Sequence, residues 1–340
     1  MDALKPTLAI LQSGRPLTAS EASTAFEVIL SGEASPAQIG SFVTALRVRG
    51  ETIDEIAAGV SVMRANAMKV KTPTHVLDTC GTGGDGSGSY NISTAVAIVA
   101  AACGAYVAKH GTLAQSSKSG SSDVLQALGV ELNLTATALE QCINEVGIGF
   151  LFAPNHHAAM RHVAPIRKEL GFRTIFNLLG PLSNPAGANR QLLGVFDKQW
   201  VEPLAHVLKK LGSERAWVVH GSDGMDELTT TGPSTVASLR KGEINVFEVT
   251  PEDAGLARAK PEDLVGGAPD ENAAAMTALL EGEMGAYRDI VLLNTAAALL
   301  VCHKVETLKE GVEMAALAID DGGARAVLAN LVTTSQKLAS

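Results

Sequence analysis

Cysteine, aromatic residues and basic charge are all scarce in this chain of 340 residues. Its four cysteines form no Cys-x-x-Cys pair, which argues against a zinc site and against a disulfide framework. Aromatic residues make up only 4%, so the core has to be built mainly from small aliphatic side chains. The 27 basic residues are outnumbered by 36 acidic ones, and the net charge of -9 argues against non-specific nucleic-acid binding. A small local site for an anion stays open.

Long hydrophobic runs are also missing. The longest uncharged stretch, 86–108, has a purely apolar part of nine residues (95–103), whereas a membrane-spanning helix needs about 20. We therefore predict a buried helix here and no association with a membrane. The first residues, MDALKPTLAI, lack the pattern of a signal peptide, and scattered cysteines are typical of reduced thiols. These observations together predict a soluble, cytoplasmic protein.

The first seventy residues carry clear helix start signals. A hydroxyl precedes a Glu or Gln by three residues in 18–21, 35–38 and 52–55, which is the spacing of a capping box. Apolar residues then recur at helical spacing, and 1–70 is predicted to be a small helical bundle. A chain of this length that is 46% hydrophobic is expected to form about two structural units.

Residues 71–340 have a different pattern, in which short apolar runs alternate with helical stretches. The strand-like runs are 75–79, 105–109, 149–153, 192–196 and 215–220, and the helical stretches are 93–103, 123–128, 137–146 and 199–211. This alternation predicts parallel strands joined by helical crossovers. Residues 234–249 have the pattern of a strand pair, and 270–338 that of helices returning onto the sheet. The predicted fold class is α/β, with a small N-terminal helical domain and a large domain whose mostly parallel central sheet is flanked by helices.

A glycine-rich segment, 76–94, follows the first predicted strand. Five glycines within 81–88 allow the backbone to turn sharply near a ligand, and polar residues at 91–94 open a helix whose N–H groups favour an anion. No Asp or Glu occurs between Asp85 and Asp123, so the Gly-x-Gly-x-x-Gly match does not indicate NAD binding. A Gly-Lys-Ser/Thr sequence is absent too, which excludes a Walker-type loop. The alternative is a purely structural turn.

Two further strand ends carry polar side chains. Lys109 and His110 precede a serine-rich run, 116–122, and two consecutive loops of this kind favour a ligand with two phosphate groups. After a later strand, the adjacent Asp226 and Glu227 would suit Mg²⁺, which takes a few carboxylates together with water and phosphate oxygens. The alternatives are a flexible surface loop for the serines and a solvated acidic pair.

Basic residues are concentrated in 164–185. Arg167, Lys168 and Arg173 would suit a carboxylate, because a guanidinium matches it bidentately; the alternative is a helix with a solvated basic face. The histidines at 156, 157 and 162 lack the spacing of metal ligands. We interpret them as packing or capping residues.

Four segments of the chain occur in a characteristic order: GTGGDGSGSYNIST, KHG with SSKSGSSD, HVAPIRKELGFRTIFNLLGPLSNP and GMDE. In these motifs the sequence resembles the anthranilate phosphoribosyltransferase family, along essentially its whole length. The resemblance implies a helical domain on which part of 161–185 packs, an α/β domain similar to that of pyrimidine nucleoside phosphorylases, and a homodimer formed through the helical domain. It also implies transfer of the phosphoribosyl group of phosphoribosyl pyrophosphate (PRPP) to the amine of anthranilate in tryptophan biosynthesis, with two Mg²⁺ ions per subunit.

The resemblance also implies roles for individual residues. PRPP would be bound by the backbone and side chains of Gly81, Gly83, Gly84, Asp85, Ser89, Asn91, Ser93, Thr94, Lys109, Ser117 and Ser121. Anthranilate would contact Gly81, His110, Thr112 and Arg167. The metal ligands would be Ser93, Asp226 and Glu227.

One departure from the family pattern concerns the acceptor. The family has Asn-Arg after Lys-His-Gly, whereas this sequence has Thr112 and Leu113. The change removes an amide donor near the aromatic substrate and a positive charge near the phosphate-binding loop. It leaves as alternatives a related phosphoribosyltransferase or nucleoside phosphorylase with a different acceptor, and a non-catalytic relative that binds nucleic acid.

Overall fold

The computed structural model describes residues 3–112 and 118–339 and begins with four helices. These are α1 (Lys5–Gln12), α2 (Ala19–Leu30), α3 (Pro36–Arg49) and α4 (Ile53–Asn66). All three predicted capping boxes are formed, at the N-termini of α2, α3 and α4, with both reciprocal hydrogen bonds. Each box satisfies backbone N–H groups that the helix itself leaves without a partner, which explains why these helices begin where they do.

Glu55, in the third capping box, is fully buried. Its carboxylate accepts hydrogen bonds from the N–H of Leu17 at 2.8 Å and of Thr52 at 2.9 Å, and it pairs with the Arg49 guanidinium. A carboxylate tolerates burial only when such partners replace water. Glu55 therefore joins the segment before α2, the end of α3 and the start of α4.

A seven-stranded sheet forms the centre of the α/β domain. Its strands are β1 (Leu77–Gly81), β2 (Val107–Gly111), β3 (Ile148–Phe152), β4 (Arg190–Gly194), β5 (Arg215–Gly221), β6 (Ser234–Arg240) and β7 (Glu243–Val249). The order across the sheet is β3-β2-β1-β4-β5-β6-β7. The first five strands in this order are parallel to one another, and β6 is antiparallel to both its neighbours. The strand order reverses between β1 and β4. In open α/β sheets, ligands bind beyond the carboxyl ends of the strands at such a switch point.

Helices cover both faces of the sheet. They are α5 (Ile92–Ala102), α6 (Ser121–Ala127), α7 (Ala136–Val146), α8 (Ala153–His156), α9 (Ala164–Leu170), α10 (Ile175–Leu182), α11 (Val201–Lys210), α12 (Pro269–Leu280), α13 (Ala286–Val301), α14 (Leu308–Asp320) and α15 (Gly323–Ala339). One hydrophobic core lies between one face of the sheet and the helices α5 and α12 to α15. A second core lies between the opposite face and α10, α11 and the N-terminal helices. The predicted α/β class, the strand pair and the returning C-terminal helices are confirmed.

The N-terminal helices share their core with the segment after β3. Phe26 contacts Phe42 edge-on, with ring centroids 5.5 Å apart, and contacts Phe176 of α10 at 5.9 Å. In addition, α9 packs against α3, and α10 packs against α4. Part of the chain far from the N-terminus therefore completes the helical bundle.

The helix predicted in place of a membrane span is α5, which is buried along nearly all of its length. No helix in the described part of the chain combines the length and apolar character needed to cross a membrane. All four cysteines are free thiols.

Candidate active site

Glycine ends four of the parallel strands: Gly81 in β1, Gly111 in β2, Gly194 in β4 and Gly221 in β5. A Cβ atom at Gly194 would lie 1.5 Å from the carbonyl oxygen of Asp226, and one at Gly81 would lie 2.2 Å from its carboxylate Oδ2. Only glycine fits at these two positions without displacing the loop after β5. That loop therefore lies directly against the strand ends, with Asp226 over β1.

The loop between β5 and β6 is held by two side chains that no sequence motif marks. The Asp223 carboxylate accepts hydrogen bonds from the hydroxyls of Thr229 at 2.5 Å and Thr231 at 2.7 Å. The Asn294 amide of α13 accepts the N–H of Leu228 at 2.9 Å and donates to its carbonyl oxygen at 2.8 Å. These bonds fix the backbone on both sides of the acidic pair.

Asp226 and Glu227 lie close to the glycine-rich loop after β1. The Asp226 carboxylate accepts the N–H of Gly83 at 2.7 Å, and the Asp226 N–H donates to the Asp85 carboxylate at 3.4 Å. Burial, together with the Asp85 charge, raises the pKa of Asp226 to about 7. Burial and the Asp226 charge raise the pKa of Glu227 well above its ordinary value. A cation would relieve the repulsion among these carboxylates.

The ammonium group of Lys109 is the nearby positive charge. The side chain is buried, and Nζ donates to the Thr79 carbonyl oxygen at 2.6 Å and to the Ser93 hydroxyl at 3.2 Å. Burial lowers the pKa of Lys109, while the carboxylates of Asp226 and Glu227 are among the groups that raise it. Lys109 therefore connects β1 with the first turn of α5, within electrostatic range of the acidic pair.

The N-terminus of α5 is the predicted anion site. None of its first-turn residues is acidic, so no charge on the helix itself offsets the positive end of the helix dipole. Asn91 precedes the helix, and its side chain makes no capping bond. The Thr94 hydroxyl is buried and has no hydrogen-bond partner within the described residues. In the preceding loop, the Ser87 hydroxyl donates to the Ser89 hydroxyl at 3.1 Å.

Part of the loop after β2, residues 113–117, lies outside the described residues. This part includes Leu113 and the predicted PRPP contact Ser117. The Thr112 carbonyl oxygen accepts the hydroxyl of Ser121 at 3.5 Å. A Cβ at Gly111 would lie 2.3 Å from that hydroxyl oxygen. Ser121, the first residue of α6, therefore lies against the end of β2.

His110 and Arg167 are the predicted acceptor-binding side chains. The His110 ring packs against the His157 ring with centroids 5.1 Å apart, and Nε2 of each buried ring has no hydrogen-bond partner within the described residues. Burial lowers the pKa of both rings, that of His157 to about 4, so both are neutral at pH 7. Burial also lowers the pKa of Arg167 on α9, with no carboxylate of the described chain opposing it. No contact joins Arg167 to the acidic pair within the described residues, and its role stays a prediction.

Arg173 has a different environment from Arg167. Its guanidinium donates to the carbonyl oxygen of Gly84 and lies over the Phe196 ring, 4.3 Å from the centroid. The Phe196 N–H in turn donates to the Thr82 hydroxyl at 2.9 Å. Arg173 thus attaches the glycine-rich loop to the segment after β4, and the basic cluster inferred from sequence contains two separate environments.

The remaining histidines of the 156–162 segment have structural contacts. His156 forms a hydrogen bond through Nδ1 with the Met68 carbonyl oxygen at 2.9 Å. The His162 ring lies against Gly32, where a Cβ would be 2.6 Å from the ring. These two histidines therefore have structural roles, as predicted, whereas His157 packs against the predicted site residue His110.

The sequence matches two models of a glycosyl transferase family, one for its a/b domain over residues 73–325 and one for its helical bundle domain over residues 5–67. It is 61% identical over 335 residues to an anthranilate phosphoribosyltransferase of Parvibaculum lavamentivorans, and the match covers 98% of each chain. The chain belongs to the anthranilate phosphoribosyltransferase family.

Solved structures of anthranilate phosphoribosyltransferases have the same fold. The enzyme from Thermus thermophilus superposes with a TM-score of 0.93 at 45% identity, covering 99% of this chain and 100% of the other. The Saccharomyces cerevisiae enzyme, solved in complex with PRPP and Mg, superposes with a TM-score of 0.91 at 29% identity, covering 98% of each.

Three residues that position the site were missed by motif reasoning: Gly194, Asp223 and Asn294. Gly194 had a usable signal, because a glycine that ends an apolar strand indicates close approach of another backbone. Asn294 is a lone amide within the apolar run VLLNTAAALL, which also indicates a buried hydrogen-bonding role. Nothing near Asp223 distinguishes it from a solvated loop residue.

Proposed function

We propose that this chain transfers the phosphoribosyl group of PRPP to the amine of anthranilate, releasing pyrophosphate, as a step of tryptophan biosynthesis. The observation that carries the proposal is the convergence of three features at one end of the sheet: the acidic pair, the glycine-rich loop and the buried Lys109. Membership of the anthranilate phosphoribosyltransferase family supports the same reaction, and a solved relative binds PRPP and Mg.

Two Mg²⁺ ions per subunit are part of this proposal. Asp226, Glu227 and the Ser93 hydroxyl offer the hard oxygen ligands that Mg²⁺ prefers, and Mg²⁺ usually completes its shell with water and substrate phosphate oxygens. Burial and mutual repulsion raise the pKa of both carboxyl groups. This supports the assignment, because a bound cation would offset the repulsion and favour the charged form of both groups. Within the described residues, no three His, Cys, Asp or Glu side chains form a self-contained metal site, which suits an ion shared with a diphosphate.

The loops after β1 and β2 would hold PRPP. Gly81, Gly83, Gly84 and Asp85 would line the pyrophosphate and ribose, and Ser89, Asn91, Ser93, Thr94, Lys109, Ser117 and Ser121 would complete the cradle. As the bond to the anomeric carbon breaks, negative charge grows on the pyrophosphate, and Lys109 with the N-terminus of α5 stabilises it. Mg²⁺, when bound, supplies further positive charge to the diphosphate oxygens.

Anthranilate would bind beside Gly81, His110, Thr112 and Arg167. The guanidinium of Arg167 would hold the carboxylate and so direct the amine towards the anomeric carbon. An aryl amine is nucleophilic at neutral pH, so the reaction requires no strong general base. The neutral His110 ring is suited to contact an aromatic acceptor without adding charge.

A homodimer formed through the helical domain, 1–70, and a cytoplasmic location complete the proposal. The dimer rests on the family resemblance, and Val48 on α3, an apolar residue that is 83% exposed in the single chain, is the position at which it is tested.

The decay of anthranilate fluorescence tests the reaction. With the wild-type protein we expect decay only when PRPP and Mg²⁺ are both added. A nucleoside phosphorylase would instead consume a nucleoside with inorganic phosphate and without Mg²⁺. The proposal fails if the wild-type protein gives no fluorescence decay and no heat on titration with PRPP.

Thr112→Asn tests the acceptor site separately. The longer amide offers a donor that threonine lacks, so we expect the KM for anthranilate to fall by about fivefold, the size of effect one hydrogen bond gives. The KM for PRPP should not change. An unchanged KM for anthranilate would show that position 112 does not contact the acceptor.

A further inference from the structure

The side-chain amide of Asn91 is oriented by a residue from a distant part of the chain. Asn91 Oδ1 accepts a hydrogen bond from Nδ2 of Asn272 at 2.9 Å, and Asn91 Nδ2 donates to the Ser119 carbonyl oxygen at 3.2 Å. Asn272 lies near the start of α12 and is only 2% exposed. A buried amide of this kind connects the loops after β1 and β2 with the C-terminal helices.

A backbone N–H determines which way both amides point. Asn272 Oδ1 accepts the N–H of Gly267 at 2.7 Å. Since a backbone N–H can only donate, this atom of Asn272 has to be oxygen, and the atom facing Asn91 has to be nitrogen. Asn91 therefore presents its oxygen to Asn272 and its nitrogen to Ser119. The second N–H of the Asn91 amide has no partner within the described residues.

The segment 264–267, which includes Gly267 and precedes α12, is itself hydrogen-bonded to the glycine-rich loop. The N–H of Gly266 donates to the Gly88 carbonyl oxygen at 2.8 Å, and the N–H of Tyr90 donates to the Leu264 carbonyl oxygen at 3.2 Å. The Tyr90 ring also stacks on Tyr287, with centroids 4.3 Å apart. Two backbone hydrogen bonds and a ring contact therefore join the backbone around Asn91 to the segment and helices that carry Asn272.

We propose that Asn272 is a positioning residue for the phosphate site of PRPP. Its bond to Asn91 Oδ1, at 2.9 Å, is shorter than the one that the Ser119 hydroxyl donates to the same atom at 3.3 Å, and together they keep the free end of the Asn91 amide a donor. Phosphate oxygens accept hydrogen bonds only, so a reversed Asn91 amide would present oxygen to oxygen and repel the ligand. The inference rests on the proposed function, in which Asn91 contacts PRPP; Asn272 touches neither substrate.

Two variants of Asn272 separate orientation from mere packing. Asn272→Asp keeps the size and the acceptor for Gly267, but it presents a second oxygen to Asn91 and favours the reversed amide. Asn272→Ala removes one of the two donors to Asn91 Oδ1 and leaves the amide held, within the described residues, by Ser119 alone, through its carbonyl oxygen at 3.2 Å and its hydroxyl at 3.3 Å. We expect the KM for PRPP to rise about tenfold in Asn272→Asp and about threefold in Asn272→Ala, the range that one hydrogen bond gives. The KM for anthranilate should stay within about twofold in both.

The same substitution in an Asn91→Ala background distinguishes amide reversal from simple charge repulsion. Without the Asn91 amide, Asn272→Asp should add little to the KM for PRPP, because coupled residues are not additive. Ser335→Ala is the matched control for loss of a buried polar group, since its hydroxyl, on the last helix, accepts the N–H of Glu131 at 3.1 Å. It should lower the melting temperature and leave both KM values unchanged.

Calorimetric titration with PRPP alone separates the inference from the proposed function. No heat with the wild-type protein would contradict PRPP binding itself. Equal PRPP affinity in the wild type and in Asn272→Asp would overturn the role of Asn272. So would a tenfold effect that persists undiminished when Asn91 is alanine.

Discussion

At the scale of single residues, burial raises the pKa of the acidic pair and lowers that of the basic site residues. The pKa of Asp226 rises to about 7, and that of Lys109 falls, for the same reason: burial disfavours whichever form is charged. Each group is further shifted by the other charges that the loops bring together. Titratable groups perturbed in this way, at the carboxyl ends of strands, are typical of catalytic sites.

The acidic pair leads to a prediction at this scale. Asp226→Asn combined with Glu227→Gln keeps the shape of both side chains and removes their charge. We expect Mg²⁺-dependent turnover of PRPP to fall by at least about a hundredfold. Fluorescence decay measured over a Mg²⁺ titration checks this, with Glu243→Gln on the exposed β7 as the control. Undiminished turnover in the double variant would remove both residues from the proposed metal site.

The buried histidines predict a loss of stability in mild acid. Burial lowers the pKa of His110, His156 and His157, the last to about 4. In the unfolded chain each ring binds a proton near about pH 6.5, whereas the folded protein keeps it neutral. The unfolded state therefore gains protons first, and the free energy of unfolding falls as the pH drops from about 6.5 towards 4. For His157, whose pKa in the folded protein is about 4, this amounts to on the order of 1 kcal/mol per pH unit in that window.

Urea unfolding at several pH values between neutrality and mild acid measures this effect. His157→Gln should have a smaller pH dependence of the unfolding free energy than the wild type. His206→Gln, at a half-exposed position on α11, is the control for replacing a histidine outside the buried cluster. Identical slopes in all three proteins would show that burial of His157 carries no proton linkage.

At the scale of elements, the ends of the strands decide where the site forms. In β4, Gly194 allows the Asp226 carbonyl to lie against the strand, and a Cβ would overlap it at 1.5 Å. We expect Gly194→Ala to displace the acidic pair and lower turnover by about a hundredfold, with little change in circular dichroism. Gly40→Ala in α3, whose Cβ would meet only Ile166 at 4.0 Å, should keep full activity. A fully active Gly194→Ala would mean that the loop tolerates the displacement.

The boundaries of elements show the limit of local patterns. The predicted first strand begins at 75, but His75 has a φ of +68°, so β1 starts at Leu77. The predicted second strand begins at 105, but the Ala105 N–H still bonds the Ala100 carbonyl oxygen at the end of α5. Apolar character marks the strand, whereas the backbone bonds that determine its first residue depend on the neighbouring turn.

At the scale of the whole molecule, the N-terminal helices form one core with one face of the sheet. This core includes α10 and α11 as well, so the bundle is continuous with the α/β domain on that side. The proposed dimer would use the exposed surface of the bundle, on which Val48 lies.

Sedimentation of the wild-type protein should give about twice the mass of one chain. Val48→Glu introduces a charge into the proposed interface and should shift the equilibrium to monomer. Leu317→Glu on α14 is the matched control, because Leu317 is also exposed, at 65%, but lies outside the helical domain. A monomeric wild-type protein would refute the dimer, and dissociation by both variants would refute the assigned interface.

The sequence by itself determined the α/β class, the capped N-terminal helices, the position of the glycine-rich loop and the acidic pair. These depend on residues within a few positions of one another, where periodicity, capping and turn chemistry act. Only the tertiary structure decided the strand order, and with it the contact of Asp226 with Gly83, 143 residues away. The same holds for the bond from Asn272 to Asn91, 181 residues apart. Such contacts result from how the whole chain packs, and no local pattern specifies them.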